Sequence, residues 1–341
     1  MERAPARDEL RKRVESALRT IFEKYRPEVA PLSPTAADLA IKAVEGDTRD
    51  VVARVTGFMK QLAERLDAIK PPPGKGTGND DALMVSLEAS EALVAEYGRV
   101  VECIATFDHL PAAKTVFRGF ERVHESYDPR PNQGGTWYET DFDFHRFIGH
   151  ELFVMLIASL IQHDRWERIA EVLGDTLCVE TGQGPENWPW QCLSVFVKLL
   201  DIRNDRLKLG KAVLHGEVLK QRHDREPLAG ISPFDAFVEA EFLLFLRAEL
   251  APAKSPLAEQ GDAPLWRPWT ALFMNWKVPT YLVRAQRAEQ AGRLLKAVGV
   301  PDVVSFRQRY AARDANIVQF FRSRTGSFQL GKFDVDKFGA S

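Results

Sequence analysis

Between Phe142 and Ile161 the chain reads FDFHRFIGHELFVMLIASLI, and its second half is apolar on every side. A helix with no polar face has to be covered all round, either by lipid or by other parts of the protein. Lipid fits poorly. The run from Phe147 to Ile161 is interrupted by His150 and Glu151 and flanked by Arg146 and His163, short of the ~18–20 apolar residues that span a bilayer. A central core helix is expected, and with it a fold large enough to wrap one. The 341 residues, 45% hydrophobic, supply that wrapping. No apolar leader with a small-residue cleavage site follows the charged start Met1–Tyr25, and three cysteines do not make a disulfide framework. A soluble cytoplasmic protein is expected.

The wrapping is helical. Leu10, Val14, Leu18, Ile21, Phe22 and Tyr25 recur at steps of three and four, as do Val51, Val55, Phe58, Met59, Leu62, Leu66 and Ile69. The period continues through Leu83 to Phe107, through Val116 to Val123, and in segments beginning near Gln191, Leu209, Asp235, Pro268, Tyr281 and Val303. The spacing predicts an all-α protein, an irregular array of about eleven helices in two packed subdomains. Its rhythm is repeat-like without a repeating signature. The tail SFQLGKFDVDKF is expected as a short strand or an extended arm.

Breakers divide the chain. KPPPGKGTGND, with three prolines and then glycines, is a linker at 71–80 between an N-terminal helical subdomain (1–70) and a central core (81–250). A second linker is expected at 251–264, ahead of a C-terminal helical region and tail (265–341). ETGQGPENWP, Glu180 to Pro189, reads as irregular.

Absent motifs narrow the function. The chain has no G-x-x-x-x-G-K-[ST], no G-x-G-x-x-G after a strand, no G-x-S-x-G elbow, no H-E-x-x-H and no C-x-x-C. No cofactor and no metal site is expected. Cys103, Cys178 and Cys192 are scattered. His163–Asp164 resembles the dipeptide of the HD-type metal phosphohydrolases, but His150 and His163 lie about 140° apart around a helix and some 20 Å along it, too far to share an ion.

Three features carry candidate chemistry. Arg146 and His150, four residues apart, fall within about 40° on one helix face. There an arginine can stabilise phosphodiester charge while a histidine moves the proton. RFIGH is similar to the Arg/His motif of the helical HEPN ribonucleases, with a shorter spacer of three residues, and implies a metal-independent ribonuclease. The alternative is a core histidine beside an arginine paired with Asp141 or Asp143. Trp188 and Trp190 flank Pro189 in GPENWPWQC, either as a recognition surface or as a plug between helices. From Tyr281 to Ser341 there are 11 Lys/Arg against 5 Asp/Glu, a net +6, which leaves −8 on the rest of a chain whose net charge is −2. Arg307, Arg309, Arg313, Arg322 and Arg324 could face nucleic-acid phosphates or dock on the acidic remainder.

With no assembled catalytic set, the expected role is interaction: a scaffold, adaptor or regulatory subunit with a protein partner and no membrane. The Ala-, Arg- and Val-rich usage suggests a bacterial source, and in texture the chain resembles helical accessory proteins of phage-defence systems. Nucleic-acid binding through the C-terminal region and the Arg146/His150 nuclease are the alternatives.

Overall fold

In the computed structural model the apolar run forms helix α6, Asp143–Gln162, and every residue of it except Arg146, Ile161 and Gln162 is buried. By length and composition this segment is apolar enough to cross a membrane, yet 89% of its apolar window is buried inside the protein. The structure describes residues 35–74, 79–129, 136–181, 184–251, 266–274, 277–312 and 333–340.

The helices that cover α6 come from both sides of it in sequence. Before it lie α1 (Thr35–Glu45), α2 (Val51–Ala68), α3 (Asn79–Ala89), α4 (Glu91–Thr106) and α5 (Leu110–His124). After it come α7 (Trp166–Val172), α8 (Lys198–Arg206), α9 (Leu214–His223), the single turn α10 (Leu228–Ile231) and α11 (Phe234–Leu250). The described chain then adds α12 (Thr280–Arg284), α13 (Ala288–Val298) and α14 over 303–312. Among the described residues the architecture is all-α apart from one two-stranded hairpin.

The stripes read for α2 and α5 turn inward, while the helix expected from Leu209 starts at Leu214 and the segment near Pro268 holds a 3₁₀ turn at Ala271–Met274. The buried face of α2 is Val51, Val55, Phe58, Met59, Leu62 and Leu66, and it lies along α5, whose Val116, Phe117, Phe120 and Val123 point inward. The start of α5 is fixed by His109, whose Nδ1 accepts the Ala112 N–H at 3.1 Å, with Pro111 in the first turn. α4 and α11 both pack on α6. Two glycines allow close approach: Gly98 faces Ile231 and Met155, and Gly149 of α6 lies under the Tyr127 hydroxyl.

The linker at 71–80 does not separate two cores. α1 and α2 pack on α4 and α5, and one apolar core runs from Ala36 to Phe338. α3 already begins at Asn79, and Asp80 is buried against Arg203 and Arg206 of α8. The second linker, from residue 252 on, lies outside the described residues.

Two local expectations change. The stretch read as irregular is an antiparallel hairpin, β1 (Thr176–Thr181) on β2 (Gly184–Pro189), with Cys178 opposite Asn187. Leu177 and Val179 turn inward while Cys178 is exposed, an alternation too short to register between helices. The predicted helix near Gln191 starts later, as α8, after a 3₁₀ turn at Trp190–Leu193. The tail docks over residues 333–340, and residues 327–332 lie outside the described residues. After a 3₁₀ turn at Val335–Lys337, Phe338 stacks on Phe306 with ring centroids 4.0 Å apart, and the Gly339 N–H meets the Ala285 carbonyl at 2.8 Å.

Candidate functional site

Arg146 sits in the first turns of α6, where its guanidinium brackets the chain that leads into the helix. Nε donates to the Tyr127 carbonyl at 3.1 Å and Nη2 to Asp128 at 3.1 Å, while Nη1 lies 3.7 Å from Asp143. Only 15% of the side chain is exposed. Asp143 caps α8 by accepting the Leu199 N–H at 2.7 Å. Burial pushes its carboxyl up to about 7, against the pull of that hydrogen bond and of Arg146.

One turn along α6, His150 is fully buried and turned to another helix. Its Nε2 lies 2.8 Å from Oε1 of Glu241 on α11, itself fully buried. Glu241 also accepts the N–H groups of Trp269 (2.8 Å) and Thr270 (2.6 Å) and the Thr270 hydroxyl. The carboxylate thus pins the segment 266–274 to the core. Trp266 stacks on the His150 ring at 5.2 Å.

The next residue, Glu151, belongs to a separate network. Arg222 of α9 holds it through two parallel bonds of 2.7 and 2.9 Å and reaches the Leu87 carbonyl and Ser90 Oγ on the far side. Burial pushes this carboxyl up, but the charge and hydrogen bonds of Arg222 together with His223 outweigh it and hold the group down at about 2. His223 donates from Nδ1 to the Ser232 carbonyl at 2.6 Å.

The two residues of the nuclease expectation are engaged by different elements. Arg146 and His150 share a helix face in sequence, but the structure gives them separate partners and covers His150 completely. His163 and Asp164 are likewise occupied, by Glu102 at 2.6 Å and by Arg293 at 2.7 Å. No group of three or more His, Cys, Asp or Glu placed to hold a metal ion occurs among the described residues.

The two tryptophans divide. Trp188 is half-buried on β2, with its indole N–H on Glu186 at 3.0 Å and its ring edge-on to His124. Trp190 is a core residue, packed against Trp266 and Phe153, so the pair does not form one recognition surface. Among the C-terminal arginines, Arg307 donates to the Phe338 carbonyl at 2.7 Å and Arg309 to the Leu250 carbonyl at 2.8 Å. Arg313, Arg322 and Arg324 lie outside the described residues.

Sequence reasoning missed a cleft of about 320 Å³ where α8, α9 and the Trp269 segment meet, lined by Phe196, Val197, Asp201, Ala212, Val213, His215 and Trp269. An aromatic ladder leads into it from the core. Phe147 stacks on His215 at 4.7 Å, His215 lies parallel to Trp269 at 5.1 Å, and Phe196 is tilted against Trp269 at 6.1 Å. Both ring nitrogens of His215 are buried without a hydrogen-bond partner, and burial drives the imidazole well below its usual range. No spacing rule connects Phe196, His215 and Trp269, so no sequence signal pointed to this place. Beside the cleft, Ile202, Leu207 and Leu209 are large apolar side chains left about 40% exposed on α8 and the turn that follows it.

Compared with protein-family models, curated proteins and solved structures, the chain matches none.

Proposed function

We propose that the protein is a helical interaction module, a scaffold, adaptor or regulatory subunit that works by contacting another protein. One observation carries this reading. The buried His150 and Glu151 of α6, Arg222 of α9 and Glu241 of α11 are spent on internal networks, whereas α8 and its following turn present Ile202, Leu207 and Leu209 outward. The same helix is braced from behind, because Arg203 and Arg206 reach back to Asp80 and Asp81 of α3. A rigid element that offers apolar side chains within a charged rim suits a protein contact. A bacterial cytoplasmic setting, with a role in a conflict system, is the setting we attach to this reading on composition and helical texture.

The test is a tagged chain purified from its own host, unaltered and as the double variant Ile202→Glu/Leu207→Glu. The expected result is a stoichiometric protein that accompanies the unaltered chain and is lost from the variant, with the unfolding midpoint of the two chains the same. Equal recovery of the same partner by both would overturn this surface. No stoichiometric protein with either chain would overturn the reading as a whole.

A further inference from the structure

We infer that the C-terminal tail is an intramolecular ligand, seated in a groove between α12, α13 and α14 whose other occupant is a segment of a partner protein that carries phenylalanine followed directly by glycine. The groove lies on other elements than Ile202, Leu207 and Leu209, so the inference goes beyond the α8 contact and does not depend on it.

The tail is held as a peptide is held. Phe338 is the anchor, fully buried and stacked on Phe306 at 4.0 Å. Main-chain bonds lie on both sides of it. Its carbonyl accepts from Nη2 of Arg307 at 2.7 Å, and the next N–H, of Gly339, donates to the Ala285 carbonyl at 2.8 Å. Phe333 adds a second ring, edge-on to Tyr310 at 5.5 Å. Backbone bonds around a deeply seated aromatic side chain give a peptide site both affinity and register.

The glycine is read together with the anchor. Gly339 has φ +65°, a conformation that favours glycine. A Cβ at this position would lie 2.9 Å from a Val303 methyl and 3.3 Å from the Ala291 Cβ. The residues between the two rings are read less. Asp334, Asp336 and Lys337 are exposed, and the charges of Asp334 and Lys337 meet each other at 3.1 Å.

Two observations separate a ligand from a closing piece of the core. Twenty residues, 313–332, lie in the sequence between α14 and Phe333, a contour of up to about 70 Å. The seat is therefore set by contacts and not by chain length. Val283 and Val304, on α12 and α14, stay 51% and 63% exposed. A partner that also covers them gains apolar contact that the tail does not make. It needs that gain, because a tail in cis competes at an effective concentration on the order of millimolar. A second copy of the chain brings the same tail and no added contact, so exchange between copies has no such advantage.

The experiment titrates a fluorescent synthetic peptide of residues 333–341 into the full-length chain, unaltered and as Gly339→Val, a change that strains the seated tail and leaves the groove intact. Saturable binding to Gly339→Val is expected, roughly tenfold or more tighter than to the unaltered chain, whose own tail competes. Phe338→Ala in the peptide should weaken binding by roughly tenfold or more. Asp334→Ser, Asp336→Ser and Lys337→Ser together should change it by less than about threefold. Hydrogen exchange on the unaltered chain tests the same point without a variant. The Gly339 amide is expected to exchange about a hundredfold or more faster than the amides of α6, because the seat opens by itself. Exchange of Gly339 at the α6 rate, binding no tighter to Gly339→Val than to the unaltered chain, binding indifferent to Phe338→Ala, or no binding would overturn the inference. A dimer of the unaltered chain that Gly339→Val abolishes would give the groove to a second copy and overturn the partner.

Discussion

Glu241 is the residue on which the interior depends most. It stands fully buried with four donors converging on it, from His150, Trp269 and Thr270. A buried carboxylate is tolerable only when its lone pairs are used, and these are. Glu241→Ala leaves two backbone N–H groups, a hydroxyl and a histidine without an acceptor, so a loss of about 3–5 kcal/mol is expected in denaturant unfolding. Glu241→Gln, which keeps one oxygen, should lose less. Equal losses would mean that volume rather than hydrogen bonding decides the site. The pH response follows from two neighbours with opposite signs. His145 is held at about 4 by burial, below the unfolded value of 6.5, so the unfolded chain binds the extra proton and stability falls as the pH drops from 6.5 towards 4. Asp143, raised to about 7 from 3.8, keeps its proton longer when folded, so its contribution falls as the pH rises through that window. His145→Gln should therefore lose less stability than the parent between pH 6.5 and 4.5. Asp143→Asn should gain relative to the parent as the pH rises from 4 to 7. Urea midpoints across the range decide both.

Among the elements, α6 and α8 behave in opposite ways. α6 is held by packing, with Phe153 in contact with Phe117, Phe120, Trp190 and Trp266. Phe153→Ala is expected to cost about 3–5 kcal/mol, since such a site cannot collapse around the gap. Gly149 tests the reverse error. Its missing side chain makes room for the Tyr127 hydroxyl, so Gly149→Ala should overpack the contact and cost about 1–3 kcal/mol despite the better helix propensity of alanine. A more stable Gly149→Ala protein would show that Tyr127 moves aside freely. α8, by contrast, buries only Leu199 and Leu200. Its place is set at one end by the Asp143 cap and along its length by the arginine pairs to Asp80, and Ile202 stays exposed on it.

Across the whole molecule, two basic residues of the C-terminal region meet acidic residues of the body. Arg293 pairs with Asp164 at 2.7 Å and Lys296 with Glu167 at 3.4 Å, so α13 is laid against α7 charge to charge. Arg247 of α11 completes the seam through the Ala297 and Leu173 carbonyls. The chain end then closes over it with Phe338, whose neighbours are Phe306 and Phe333. Phe338→Ala is expected to lower stability by about 3–5 kcal/mol and to speed amide exchange in α12 to α14 more than in α2 or α5. Uniform exchange across these helices would show that the C-terminal region is not secured by its tail.

The residue pattern alone determined that the protein is helical and that α6 is its centre. Apolar period and total burial follow from side-chain type, and each stripe, such as Val51 to Leu66, states which face turns inward. It did not determine what the polar residues inside the core do. RFIGH places Arg146 and His150 on one face, but Glu241, 91 positions beyond His150, decides that the histidine is a structural partner. Glu151 likewise needed Arg222, 71 positions away. The cleft was invisible for the same reason: Phe196, His215 and Trp269 become neighbours only when three segments meet. Spacing along a helix reports the direction of a side chain. Its partner, its access to water and its chemistry are properties of contacts between distant segments, and tertiary structure alone supplies those.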